Sequence, residues 1–169
     1  MDILEIAAKA DSYVRKYKTR NPFVIAEALG VEIMPVEMQK LKGCFKVIKR
    51  NPFIFVNAFM EEAETVWVLG HELGHNCLHR HLAAMSSGLM EYSLYDMTAR
   101  PEREANLFAA ELLIDEDDLL EYIYDYGYTA EQCAQALNIH PAFIALKIEI
   151  LNARGYDLRT QDYDRKFLS

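Results

Sequence analysis

Residues 66–81 read Val66-Trp67-Val68-Leu69-Gly70-His71-Glu72-Leu73-Gly74-His75-Asn76-Cys77-Leu78-His79-Arg80-His81. The apolar run ahead of His71 marks a helix that belongs to the core. Residues four apart on a helix lie one above the other. His71 and His75 can therefore aim two imidazole nitrogens at one cation, and zinc suits imidazole and carboxylate ligands. Two histidines on a buried helix need partners, and a metal supplies them. Glu72 follows the first ligand directly, so it projects beside the metal. A carboxylate there can take a proton from the water attacking a carbonyl and deliver it to the leaving amine. Gly74 removes a side chain between the histidines and lets a strand or a substrate come close.

A catalytic zinc needs a third protein ligand and one open position. The richest source is the stretch Pro101-Glu102-Arg103-Glu104-Ala105-Asn106-Leu107-Phe108-Ala109-Ala110-Glu111-Leu112-Leu113. Its alanines allow close packing against the first helix. Glu104, Phe108 and Glu111 share one face, and Glu102 lies on nearly the opposite side. A glutamate in such a packed helix is costly to bury unless it meets a cation. Glu104 is the expected ligand, with Glu111 in reserve. His79, at i+8 from His71, reads as a group behind the ligands or as a helix-end residue favoured by the dipole. Cys77 reads as a buried thiol, and His140, before Pro141, as structural.

Outward from this pair of helices the chain is α+β. Apolar spacing predicts a helix over 3–17. Asn21-Pro22 starts another, which Gly30 stops. Residues 31–34, 44–48 and 53–56 are β-branched or aromatic and bounded by turn residues, so they predict a small antiparallel or mixed sheet whose last two strands form a hairpin. The helix carrying the histidines runs from about residue 60 to 82, and 83–100 read as a loop. After the helix at 101–114, Asp115 to Asp118 open one over 119–126. Thr129 to Gln132 is a capping box for a helix ending near Leu137. A last helix covers 141–153. The expected division is a metal-binding unit over 1–126 and a helical appendage over 127–169, both within reach of a single domain.

The chain has 169 residues, 51% hydrophobic and 26% charged. That is enough to bury a real core. A net charge of −8 and a pI near 5.1 repel phosphate backbones and make nucleic acid a poor partner. Three cysteines, Cys44, Cys77 and Cys133, with no CxxC pair, argue against a disulfide framework and for a reducing compartment. The first residues lack a signal-peptide pattern. No apolar run approaches the roughly 18 residues that span a bilayer. The expected location is the cytoplasm, with no membrane contact.

His71-Glu-Leu-Gly-His75 with Leu78-His79, then Glu102-Arg-Glu-Ala-Asn106-Leu-Phe-Ala-Ala-Glu-Leu-Leu113, resembles the ImmA/IrrE-type metallopeptidases. Asn21 to Val31 looks like the same family's N-terminal segment, and the likeness covers most of residues 10–155. The resemblance implies a zincin-like fold, bound Zn2+, and the glutamate before Ala-Asn, here Glu104, as third ligand beside His71 and His75. It implies a regulatory peptidase that cleaves or inactivates a helix-turn-helix repressor of a mobile element, a prophage for example, or of a stress response, with derepression following. Residues 129–151 would fill the place of a helix-turn-helix-like segment. Their acidity favours packing or protein recognition over DNA contact. The chain departs from the family pattern at Ile114-Asp115, where Met-Pro is usual, and at Trp67 to Gly70. Neither change touches a proposed ligand.

Two other classes compete. A repressor-binding module with structural zinc would need a closed site, for which only His79 offers a fourth ligand. A DNA-binding regulator would use 129–154, against the charge. Tyr92, Tyr95 and Arg100 are the candidates for stabilising an oxyanion.

Overall fold

The computed structural model describes residues 1–85 and 100–158. The chain opens with α1 (Ile3–Tyr17) and α2 (Pro22–Ala28), then β1 (Glu32–Val36), β2 (Gly43–Ile48) and β3 (Asn51–Asn57). Helices α3 (Glu62–Met85), α4 (Arg100–Leu113), α5 (Glu116–Tyr124), α6 (Ala130–Leu137) and α7 (Pro141–Ala153) follow. The fold is α+β.

Local chemistry sets most boundaries. Asp2 and Thr129 each close a capping box, and Asn21 accepts from the Phe23 N–H with Pro22 just inside the helix. Asp115 accepts from the Asp117 and Asp118 N–H groups and starts α5. Gly30, at φ +67°, turns the chain out of α2 into β1.

The sheet is mixed, in the order β1-β3-β2. β1 runs parallel to β3 with Ile33 opposite Ile54, and β2 runs antiparallel with Phe45 opposite Ile54. β3 alternates: Pro52, Ile54 and Val56 are buried, while Phe53 and Phe55 stack on the other face at 6.2 Å. The expected hairpin joins β2 to β3. Its two-residue turn, Lys49-Arg50, has φ of 49° and 72°, the twist a tight hairpin requires. No glycine or asparagine marks it, and Arg80 donates to the Arg50 carbonyl at 3.1 Å.

One apolar cluster runs from Ile6 and Ala10 of α1 through Ile54, Leu69 and Phe108 to Phe143, Ile144 and Leu151 of α7. Residues on both sides of position 127 share it. At its centre α3 lies against α4. Arg20 holds the end of α4, donating to the Glu111 and Leu112 carbonyls at 2.8 and 3.2 Å and to Asp115 at 3.1 Å. Helix α3 runs to Met85, slightly past its expected end. Residue 100, also expected in the loop, opens α4; positions 86–99, Tyr92 and Tyr95 among them, fall outside the described residues, as do 159–169. No described helix is long and apolar enough to cross a membrane.

Candidate metal centre

Two glycines on α3 decide how near α4 comes. A Cβ on Gly74 would stand 2.9 Å from both Cα and O of Ala105, and one on Gly70 would stand 2.9 Å from Leu113 Cδ1. The partner that approaches Gly74 is thus neither a strand nor a substrate but the backbone of α4. This close crossing turns Glu102, Ala105 and Asn106 toward the histidines.

Three groups meet there. His71 Nε2 lies 3.0 Å from His75 Nε2. Glu102 Oε2 is 3.2 Å from His71 Nε2, and Oε1 is 3.3 Å from His75 Nε2. All three residues are buried, and Glu102 is 0% exposed. His71 Nδ1 is 2.8 Å from Asn106 Oδ1. An amide oxygen only accepts, so His71 carries its proton on Nδ1 and turns a lone pair toward the cluster. Neither oxygen of Glu102 has a hydrogen-bond donor.

Such a set fits a cation. A buried carboxylate without a donor is costly. Ligand atoms bonded tetrahedrally at zinc distances stand about 3.3 Å from one another; the two histidine nitrogens are 3.0 Å apart and each faces its own Glu102 oxygen at 3.2 or 3.3 Å, close to that spacing. Among the described residues this is the group of histidine and acidic side chains placed to hold a metal ion.

Glu72 stands beside the cluster, buried between α3 and the start of β2. A Cβ on Gly43 would come within 3.0 Å of Glu72 Oε1 and 2.4 Å of Val68 Cγ1, so only glycine lets β2 lie this close. Burial pushes the Glu72 carboxyl up to about 7; nearby His75 and the Phe45 backbone pull it down, and Glu102 adds to the rise.

The family profile described as the IrrE N-terminal-like domain, a peptidase family, matches residues 26–149. The chain belongs to that family. It is 34% identical over 118 residues to an "Uncharacterized immunity region protein 2" of Bacillus phage phi105, covering 69% of this chain and 73% of that protein. It is 28% identical over 142 residues to "Metallopeptidase ImmA" of Bacillus subtilis strain 168, covering 82% of this chain and 80% of that one.

Within this family member the expected positions of the α4 glutamates are exchanged. Glu102, expected to face away, joins His71 and His75. Glu104, expected on the metal, lies outside the cluster. Its Oε2 is 2.9 Å from His79 Nε2, and its Oε1 accepts from Arg100 at 2.9 Å and from the Met1 amino group. Burial would raise the Glu104 carboxyl, but those bonds outweigh it and hold it down at about 2. Glu111, the reserve, faces α7, where Lys147 and Arg154 reach it at 2.9 and 2.8 Å.

The reason is that α4 is buried almost all round. Glu102 and every residue from Ala105 to Leu112 are covered. Periodicity groups Glu104, Phe108 and Glu111 correctly, but that face meets α1 and α7: Phe108 packs on Tyr13 at 6.1 Å. The sign pointing to the other face was small against small, Ala105 facing Gly74 with Asn106 and Glu102 flanking it. Arg100, an oxyanion candidate, is 77% exposed and tied to Glu104. His79 lies with its Nδ1 3.3 Å from His75 Nδ1. Cys77 is partly buried and, like Cys44 and Cys133, free. His140 caps α7.

Proposed function

We propose that this protein is a zinc-dependent endopeptidase of the cytoplasm with a regulatory role, acting on a protein substrate, a helix-turn-helix repressor of a mobile element. The observation that carries the peptidase reading is the buried His71–His75–Glu102 triangle with Glu72 beside it. The immunity-region name of the phage relative supports the regulatory part. Derepression of the repressor's genes would follow its loss.

His71, His75 and Glu102 would hold the metal. When bound, it supplies Lewis acidity, polarising a carbonyl and making water acidic enough to attack at neutral pH. Glu72, buried and with its carboxyl near 7, takes a proton from the attacking water and passes it to the leaving amine nitrogen. β2 is an edge strand of the sheet beside Glu72, and an extended substrate segment can add to it through main-chain hydrogen bonds.

A structural metal would call for a fourth protein ligand. Both ring nitrogens of His79, the residue nearest that role, are engaged with His75 and Glu104. The geometry therefore favours catalysis over sequestration. The test is Glu72→Gln against a purified helix-turn-helix repressor of the same mobile element. Zinc content should be kept, while cleavage in a purified assay falls by about 10²–10⁴-fold. Equal cleavage by the variant would exclude Glu72 as the base. Repressor binding without cleavage by the wild type would favour the binding module.

A further inference from the structure

Glu104 lies in the same five residues of α4 as Glu102 and Asn106, yet points elsewhere. His79, which it touches, is where α3 leaves helical geometry, with φ −125° and ψ 17°. On an unbroken helix, position 79 would sit about 80° round from position 71. The break instead sets the ring between His75 and Glu104, with His79 Nδ1 3.3 Å from His75 Nδ1 and His79 Nε2 2.9 Å from Glu104 Oε2.

Proton bookkeeping gives this contact a direction. The Glu104 carboxylate only accepts, so His79 Nε2 carries the proton and donates. A neutral His79 then has a lone pair on Nδ1. His75 Nδ1 must donate into it, which leaves the His75 Nε2 lone pair facing His71 and Glu102. Asn106 does the same for His71 directly. Arg100 and the Met1 amino group occupy the other oxygen of Glu104 and leave Oε2 to His79.

We propose that Glu104 and His79 are a positioning pair that fixes the tautomer and ring orientation of His75, acting on the metal only through it. This rests on the reading of His71, His75 and Glu102 as metal ligands. Both tautomers of the histidine pair are then set from α4, one by Asn106 in one step and one by Glu104 in two. In Glu104→Gln an amide N–H can meet His79 Nε2. That would reverse His79, and with it His75, and put a proton on the atom meant for the metal.

The experiment measures the zinc dissociation constant by chelator competition and the visible spectrum of the Co(II)-loaded protein. Glu104→Gln and His79→Leu should each weaken zinc by about 10–100-fold and shift the cobalt bands. Metal-free unfolding curves should fall modestly for Glu104→Gln, which loses its ion pairs with Arg100 and the Met1 amino group, so affinities are compared on folded protein. The double variant should be little worse than either single one, because the two residues act in series. His79→Gln, whose side-chain carbonyl can accept from His75, should recover part of the loss. Arg103→Ala, on the same helix but paired with Glu149 and outside the relay, should change affinity by less than about threefold. Unchanged zinc affinity and cobalt spectra in Glu104→Gln and His79→Leu would overturn the pairing alone. Loss of binding in Glu104→Gln with none in His79→Leu would also overturn it, making Glu104 a direct ligand. A wild-type protein that takes up no zinc would overturn the metal reading as well.

Discussion

Glu102 and Glu111 are two glutamates of one helix, 0% and 1% exposed, and they have opposite surroundings. Glu111 has its cations in the chain. Lys147, itself 0% exposed, meets one oxygen at 2.9 Å, and Arg154 meets the other at 2.8 Å. Glu102 faces two imidazole nitrogens and has no donor for either oxygen. A buried carboxylate that the fold neutralises belongs to the fold. One that the fold surrounds with further lone pairs calls for a cation from outside. The contrast separates the structural end of α4 from its chemical end without appeal to motif.

The largest expected effect lies at the structural end. Glu111→Ala leaves Lys147 charged and buried without a counter-ion, and should cost about 3–5 kcal/mol of folding stability in denaturant titrations. The zinc affinity of the folded fraction should stay within a few-fold of wild type. A stable Glu111→Ala protein that had lost zinc would erase the distinction between the two glutamates.

Next comes the crossing that aims Glu102. Gly74→Ala would drive a methyl into the Ala105 backbone, 2.9 Å away. Side chains cannot swing aside to relieve it, so α4 must shift. The expected loss is about 1–3 kcal/mol in stability, with weaker zinc binding in the same sample. Wild-type affinity in that variant would mean that Glu102 is not held by this contact.

Much of this was legible in the sequence where one residue type carries one physical meaning. The caps at Asn21, Asp115 and Thr129, the prolines at 22 and 141, and the i, i+4 histidines each led to an element or a contact the structure contains. The face of α4 was not legible, because a helix buried on nearly every side has no polar stripe to orient it. Nor was the break at His79, which leaves no composition signal and moves one ring out of the register of the other two. The Lys49-Arg50 turn escaped for the same kind of reason: two long cationic residues take left-handed backbone because the strands on either side demand it.

The smallest change in the chain tests the central claim most directly. Glu102→Gln alters little more than the charge at the heart of the triangle. Purified wild-type and variant proteins, dialysed together against the same buffer, would be assayed for zinc by elemental analysis alongside their metal-free unfolding curves. The account predicts close to one zinc per wild-type chain and little or none in Glu102→Gln. It also predicts that both metal-free proteins remain folded, so that lost zinc reports a lost ligand. Full zinc occupancy in Glu102→Gln, or a wild-type chain that retains no zinc, would contradict it.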